Sequence, residues 1–190
     1  MRVAIDAGHG REKTGRWNGA SGNGIIEDVI ALDFAQRLGH YCRARGAQTV
    51  LTRTTENIVT LGSRGRRAIR ERCDLFISVH VNAFGKPSAH GAEVFVVKGD
   101  MPSTLIAQSV LDGVCGVEYA SRYLHSRGVK GDSSGQHSSL RVLRDTYRHM
   151  PAMLLELGFL TNPKDAAMLK SNRWLQDVAC VVARALVPDD

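Results

Sequence analysis

The chain has 190 residues, 43% of them apolar and 23% charged, the balance of an ordinary globular protein and not of a disordered one. That length suffices for one sizeable core, so a single domain over residues 1–190 is expected. Lys and Arg exceed Asp and Glu, 25 against 19, giving a net charge of +6; polyanions should be attracted, and charge alone does not choose among nucleic acid, cell wall and headgroups.

Short apolar runs alternate with helical periodicity, the pattern of an α/β fold. The run "RVAID" (Arg2 to Asp6) predicts a strand, followed by a Gly-rich loop to Gly24. Ile26, Ile30, Phe34, Leu38 and Cys42 recur every four residues, so a helix is expected over Glu27 to Arg45, with Gly46 ending it. A second strand is expected over Ala47 to Arg53 and a second helix over Leu61 to Arg72. The basic stretch "SRGRRAIRER" reads as the solvated face of that helix rather than a nucleic-acid patch, because no aromatic residues are interleaved with it.

"DLFISVHVNA" (Asp74 to Ala83) is nearly continuous in apolar residues up to Val79, as in a strand buried on both faces. "GAEVFVV" (Gly91 to Val97) predicts a fourth strand, Pro102 to Val114 a helix, and Gly128 to Ser139 a loop. "LRVLR" (Leu140 to Arg144) and "AMLLELGF" (Ala152 to Phe159) complete the predicted strands. Asn162 and Pro163 form a helix start, and a last helix is expected over Asn172 to Leu186. Cys42, Cys73, Cys115 and Cys180 form no CxxC pair and sit among apolar neighbours, so buried free thiols are expected. No run is long enough to span a bilayer, and none has the layout of a signal peptide.

Chemistry concentrates at strand ends. His9 and His80 each follow the apolar part of a predicted strand, and Glu156 lies near the end of a third. Burying a carboxylate in so apolar a run is costly unless it is paired, hydrogen-bonded or beside a metal. Glu27 opens the first long helix, where the helix dipole favours a carboxylate. Two histidines and a carboxylate are a common protein shell for catalytic zinc, and a further glutamate would supply a base. Taken singly, His9 also fits a turn residue, His80 a satisfied core histidine and Glu27 an ordinary N-terminal acid; no compact HExxH motif decides between these readings.

The segments "VAIDAGHG", "GNGIIED", "LTR", "LFISVHVNA", "GAEVFVV" and "PAMLLELGFLTNPKDAAML" together resemble the ordered blocks of the zinc-dependent N-acetylmuramoyl-L-alanine amidases, the amidase 3 family. The resemblance runs from Val3 to Leu169. It implies a single twisted, six-stranded, mostly parallel sheet with helices on both faces. The implied reaction is cleavage of the peptidoglycan amide joining the lactyl group of N-acetylmuramic acid to L-alanine. Position by position, the family's zinc (Zn2+) ligands match His9, Glu27 and His80, and its catalytic glutamate matches Glu156. Arg144 and Asn82 match recurrent positions and are expected near the substrate. Asp28 stands where the family often has Lys, and Ala7 where Pro is frequent, departures expected to touch only local surface and loop stiffness. The other histidines, His40, His90, His125, His137 and His149, are read as surface or loop residues, with His137 closest in sequence to the Arg144 segment.

The same resemblance frames the biology. In division-associated relatives an inserted helix covers the zinc; here the span from Val97 to Leu140 is expected to hold one or two crossover helices and a loop. A site open to solvent and no requirement for an activator protein follow, and a monomer is expected. A phage-type endolysin made in the cytoplasm and acting on the wall is the expected setting, with a periplasmic enzyme freed of its signal as the alternative. A non-catalytic wall-binding or regulatory protein on the same fold is the rival function.

Overall fold

The computed structural model describes residues 1–134 and 139–189. His137 therefore lies outside the described residues. A six-stranded sheet has the order β4-β1-β5-β8-β6-β7, with β1 at Arg2–Ala7, β4 at Gln48–Leu51, β5 at Leu75–Asn82, β6 at Ala92–Val96, β7 at Ser126–Gly131 and β8 at Ala152–Phe159. All neighbours run parallel except β6 and β8. The remaining short strands, β2 (Ser21–Gly22) and β3 (Ile25–Ile26), form a hairpin that begins inside the loop expected to run to Gly24 and ends just beyond it.

Period-two alternation sorts each central strand between two cores. Val3 and Ile5 of β1, Ile77 and Val79 of β5, and Met153 and Leu155 of β8 join the larger one. Helices α1 (Glu27–Ala44), α3 (Met101–Cys115) and α6 (Asn172–Leu186) supply its other half through Phe34, Leu38, Val110, Val178 and Val182. Ala4, Phe76, Phe95 and Leu154 point the opposite way, towards Ala68 of α2 (Leu61–Arg70) and Leu143 of α4 (Arg141–Arg144). The polar residues of the same alternation, Asp6, Ser78, His80, Glu93 and Glu156, belong to this second face. Helices thus cover both faces, and the smaller cover leaves the polar end for a site. Asn162 caps α5 (Pro163–Leu169), accepting from the amides of Lys164 and Asp165.

Two expected elements change identity. Leu140–Arg144 is not a strand: Arg141–Arg144 forms the single helical turn α4, with Val142 and Leu143 buried. Five residues of mixed polarity satisfy a two-residue and a helical period alike, so Leu140 and Leu143, three apart, serve equally as one helix side. The sixth strand is instead β7, within and just before the segment expected to be loop. Its glycines and cations suit an edge strand, and the pairing of β6 with β7 is irregular between Ala92 and Val94. The described crossover from β6 to β7 holds only the helix α3.

Cys42 and Cys73 are buried free thiols, whereas Cys115 and Cys180 are half-buried. Burial pushes the Cys42 thiol up to about 12, which leaves it unreactive at neutral pH. No helix among the described residues is long and apolar enough to cross a membrane.

Candidate metal centre

β1 ends at Ala7, and the chain turns sharply through Gly8, His9 and Gly10. His9 takes φ +55°, a left-handed conformation unusual for a residue with a Cβ. Gly8 is required by contact, since a Cβ there would lie 2.4 Å from Cε1 of His80. Gly10 is required as well: at φ +136° a Cβ there would lie 2.6 Å from the main chain of Ile58.

Two buried arginines hold this turn by its carbonyls. Arg64 donates to the oxygens of Ala7 and His9, each at 2.5 Å, and pairs with buried Asp6 at 2.9 Å. Arg53 donates to Ala7 and Gly8, at 3.1 and 2.8 Å, and to the carbonyl of Asp28 at 2.8 Å. Asp6 also accepts from the hydroxyls of Ser78, at 2.6 Å, and Thr52. The expectation of a solvated basic helix face therefore fails at Arg64, which is 2% exposed. The Asp6 carboxylate and the carbonyls of Ala7, His9 and Val59, the last at 3.0 Å from Nε, make that burial tolerable. Asp28 is likewise no surface residue. Fully buried, it accepts the amides of Gly10, Asn18 and Gly19 at 3.1, 3.1 and 2.8 Å and folds the β1–β2 loop around itself.

Glu27, at the start of α1, stands between the two imidazoles. Its Oε1 lies 3.1 Å from His9 Nε2 and 3.0 Å from His80 Nδ1, while Oε2 accepts the amide of Ala20 at 2.9 Å. The rings meet edge to face with centroids 4.9 Å apart. The donor atoms of His9, Glu27 and His80 all lie within 4.8 Å of one another, a spacing able to hold a metal ion. Burial alone would raise the Glu27 pKa, but hydrogen bonds and charge from His80 and His9 hold it far below the usual range. For His9, burial works against protonation, and the bond and charge of Glu27 outweigh it, so its pKa is raised. The other His9 nitrogen, Nδ1, faces Asn18 Oδ1 at 3.2 Å and fixes the ring orientation.

Glu156 stands directly beside His80 in the β5–β8 register and opposite Glu93 in the β8–β6 register. It is buried, and its Oε2 has no hydrogen-bond partner among the described residues. Burial, then the charges of Glu27 and Glu93, push its pKa well above the ordinary carboxylate value. A cavity of about 830 Å3 brings together His9, Glu27, His80, Asn82 and Glu156, along with Glu93, Arg127 and Lys130. Asn82 lines it but is engaged, donating to Glu93 Oε1 at 2.7 Å. Arg144 does not line it; its guanidinium pairs with buried Asp132, with Nη2 at 3.0 Å from Oδ1. His40, His90, His125 and His149 are exposed.

Sequence reasoning missed Asp6, Asp28, Arg53, Arg64, Glu93, Arg127 and Lys130 as parts of this region. The "LTR" block contained Arg53 without saying what it holds, and Glu93 carried the same signal as Glu156, a carboxylate within an apolar strand.

An α/β domain whose strand ends and first helix bring two imidazoles, a bridging carboxylate and a buried carboxyl unpartnered among the described residues into one cavity has a side-chain set able to hold a metal ion. Residues 3–187 match the family model Amidase_3, N-acetylmuramoyl-L-alanine amidase. The chain belongs to that family. It is 36% identical over 180 residues to an endolysin of Bacillus phage SPP1, covering 93% of this chain and 61% of that protein. It is 34% identical over 189 residues to the uncharacterized protein YqiI of Bacillus subtilis, covering 97% and 82%. Among solved structures, the N-acetylmuramoyl-L-alanine amidase AmiC2 of Nostoc punctiforme superposes with a TM-score of 0.83 at 27% identity, covering 98% of this chain and 94% of that one. The chain spans about three-fifths of the phage endolysin.

Proposed function

We propose that the chain is a zinc-dependent peptidoglycan hydrolase, a single catalytic domain that cleaves the amide between the lactyl group of N-acetylmuramic acid and L-alanine. The observation that carries this reading is the unpartnered, buried Oε2 of Glu156 beside the His9–Glu27–His80 set. Both imidazoles present nitrogen to a point shared with Glu27, and this donor set suits zinc. His9, Glu27 and His80 would hold the ion. When bound, zinc supplies Lewis-acid polarisation and lowers the pKa of water.

The chain's own residues supply the proton path. Glu156 takes the proton of the attacking water on its free oxygen and delivers one to the alanine nitrogen, so that the C–N bond breaks with loss of a neutral amine. Its position beside His80, with Oε2 free of any hydrogen-bond partner among the described residues, suits both halves of that transfer. A wall-binding protein without turnover has no need for such a group, which favours the enzyme over its non-catalytic rival.

The His9 side chain retains 29% of its surface and His80 16%. An open site supports activity without an activator protein. The similarity to a phage endolysin supports synthesis in the cytoplasm and action on the wall once the membrane is breached. Metal analysis and turnover of Glu156→Gln test the assignment: zinc should be retained while the rate falls by about 10²- to 10⁴-fold. Loss of zinc together with activity would make Glu156 a ligand instead.

A further inference from the structure

The cavity has a second chemical end. Reading across the sheet, His80 on β5 stands beside Glu156 on β8, and Glu156 stands opposite Glu93 on β6. One strand further lies β7, carrying Arg127 and Lys130. Both cations reach back to the same oxygen, Oε2 of Glu93, Arg127 Nε at 2.8 Å and Lys130 Nζ in close contact, while Asn82 occupies Oε1. Their ion pairs hold the Glu93 pKa below its ordinary value against burial. One carboxylate thus faces two cations, which leaves one positive charge in excess at this end.

The cations are arranged to receive a ligand. The guanidinium carbon of Arg127 lies 4.9 Å from the ring centroid of Phe159, within cation–π reach. Its Nη1 makes only a long contact, 3.4 Å, with the carbonyl of His90, and Nη2 has no hydrogen-bond partner among the described residues. Lys130 uses one of its three ammonium donors on Glu93. Both side chains line the cavity that holds Glu156 and are 31% exposed, so their charges are only partly screened.

We propose that Arg127 and Lys130 form a carboxylate subsite that selects stem peptides bearing a free carboxylate on a residue following L-alanine. The inference rests on the amidase reading of the cavity. Neighbouring strands lie about 4.8 Å apart, and both cationic heads meet at Glu93 on β6, one strand from β8, so they sit about 5 Å from Glu156 along the sheet. An extended peptide advances about 3.3–3.6 Å per residue, which brings the second or third stem residue level with the cations when the first lies at Glu156. On the muramoyl side the lactyl carboxyl is consumed in the scissile amide, so the stem supplies the anion.

The test is binding, by calorimetry, of N-acetylmuramoyl-L-alanyl-D-glutamic acid and of its diamide to zinc-loaded Glu156→Gln, which retains the ligand uncleaved. The acid should bind about tenfold more tightly. In Glu156→Gln carrying Arg127→Gln and Lys130→Gln, the difference should shrink to less than twofold; Lys130→Gln alone should reduce it partly. Equal affinities, no binding of the acid, or a preference undiminished in the triple variant would each overturn the subsite. If wild type left the muramoyl–alanine bond intact while the acid preference persisted and required both cations, the subsite would stand and the amidase reading alone would fall.

Discussion

The guanidinium of Arg64 donates to the main-chain oxygen of His9 at 2.5 Å, across 55 positions of sequence, while the same group pairs with Asp6 inside the sheet. It ties a left-handed histidine to the buried polar layer beneath it. Arg64→Lys should keep a charge opposite Asp6, yet an ammonium lacks the planar fork that reaches two carbonyls and a carboxylate together. The expected outcome is a folded protein whose zinc affinity falls about 10- to 100-fold, as for other groups that orient ligands. Chelator competition measures the affinity, and thermal melting shows the fold intact. Arg64→Ala should instead destabilise by about 3–5 kcal/mol, because Asp6 is left buried and unpaired.

Asp28 provides a second check on the same turn. Its carboxylate accepts three amides, and an asparagine there would turn donor hydrogens towards at least one of them. Asp28→Asn should cost about 1–3 kcal/mol in denaturant unfolding. Equal stability would show that the loop holds itself without the carboxylate.

Glu156 predicts a pH dependence. Its folded pKa is raised, first by burial and then by Glu27 and Glu93. Between the unfolded value, about 4.3, and the folded one, the native state binds more protons than the unfolded state. The stability this group contributes is therefore complete below the unfolded pKa and is lost as pH rises through the folded pKa. In the metal-free protein, Glu156→Gln should gain stability relative to wild type as pH rises above about 4.3, and the difference should level off above the folded pKa. Melting both proteins from pH 4 upwards reads the trend; a difference that stays constant would mean the carboxyl is solvated or paired.

Much of the site was legible because strands terminate where apolar runs do. β8 has the predicted bounds Ala152–Phe159, as α6 has Asn172–Leu186, and the alternation along the strands places His80 and Glu156 on one face. What stayed illegible depends on partners distant in sequence. Arg64 looks like its exposed neighbours on α2 until Asp6 is set beneath it, and Asp28 looks like a surface acid until three amides of a folded loop surround it. β7 was hidden by glycines that commonly mark loops, and only its pairing with β6 makes it a strand.

The proposed reaction is a metal-assisted cut at one bond. Purified sacculi incubated with the chelated and then the zinc-restored protein, with no second protein added, and read by mass spectrometry, test it most directly. The chelated sample should give no products and, after zinc, the protein should release stem peptides beginning with a free L-alanine amine and leave glycans with an intact lactyl carboxylate. Products that keep the muramoyl–alanine bond, or full release by the demonstrably metal-free protein, would contradict it.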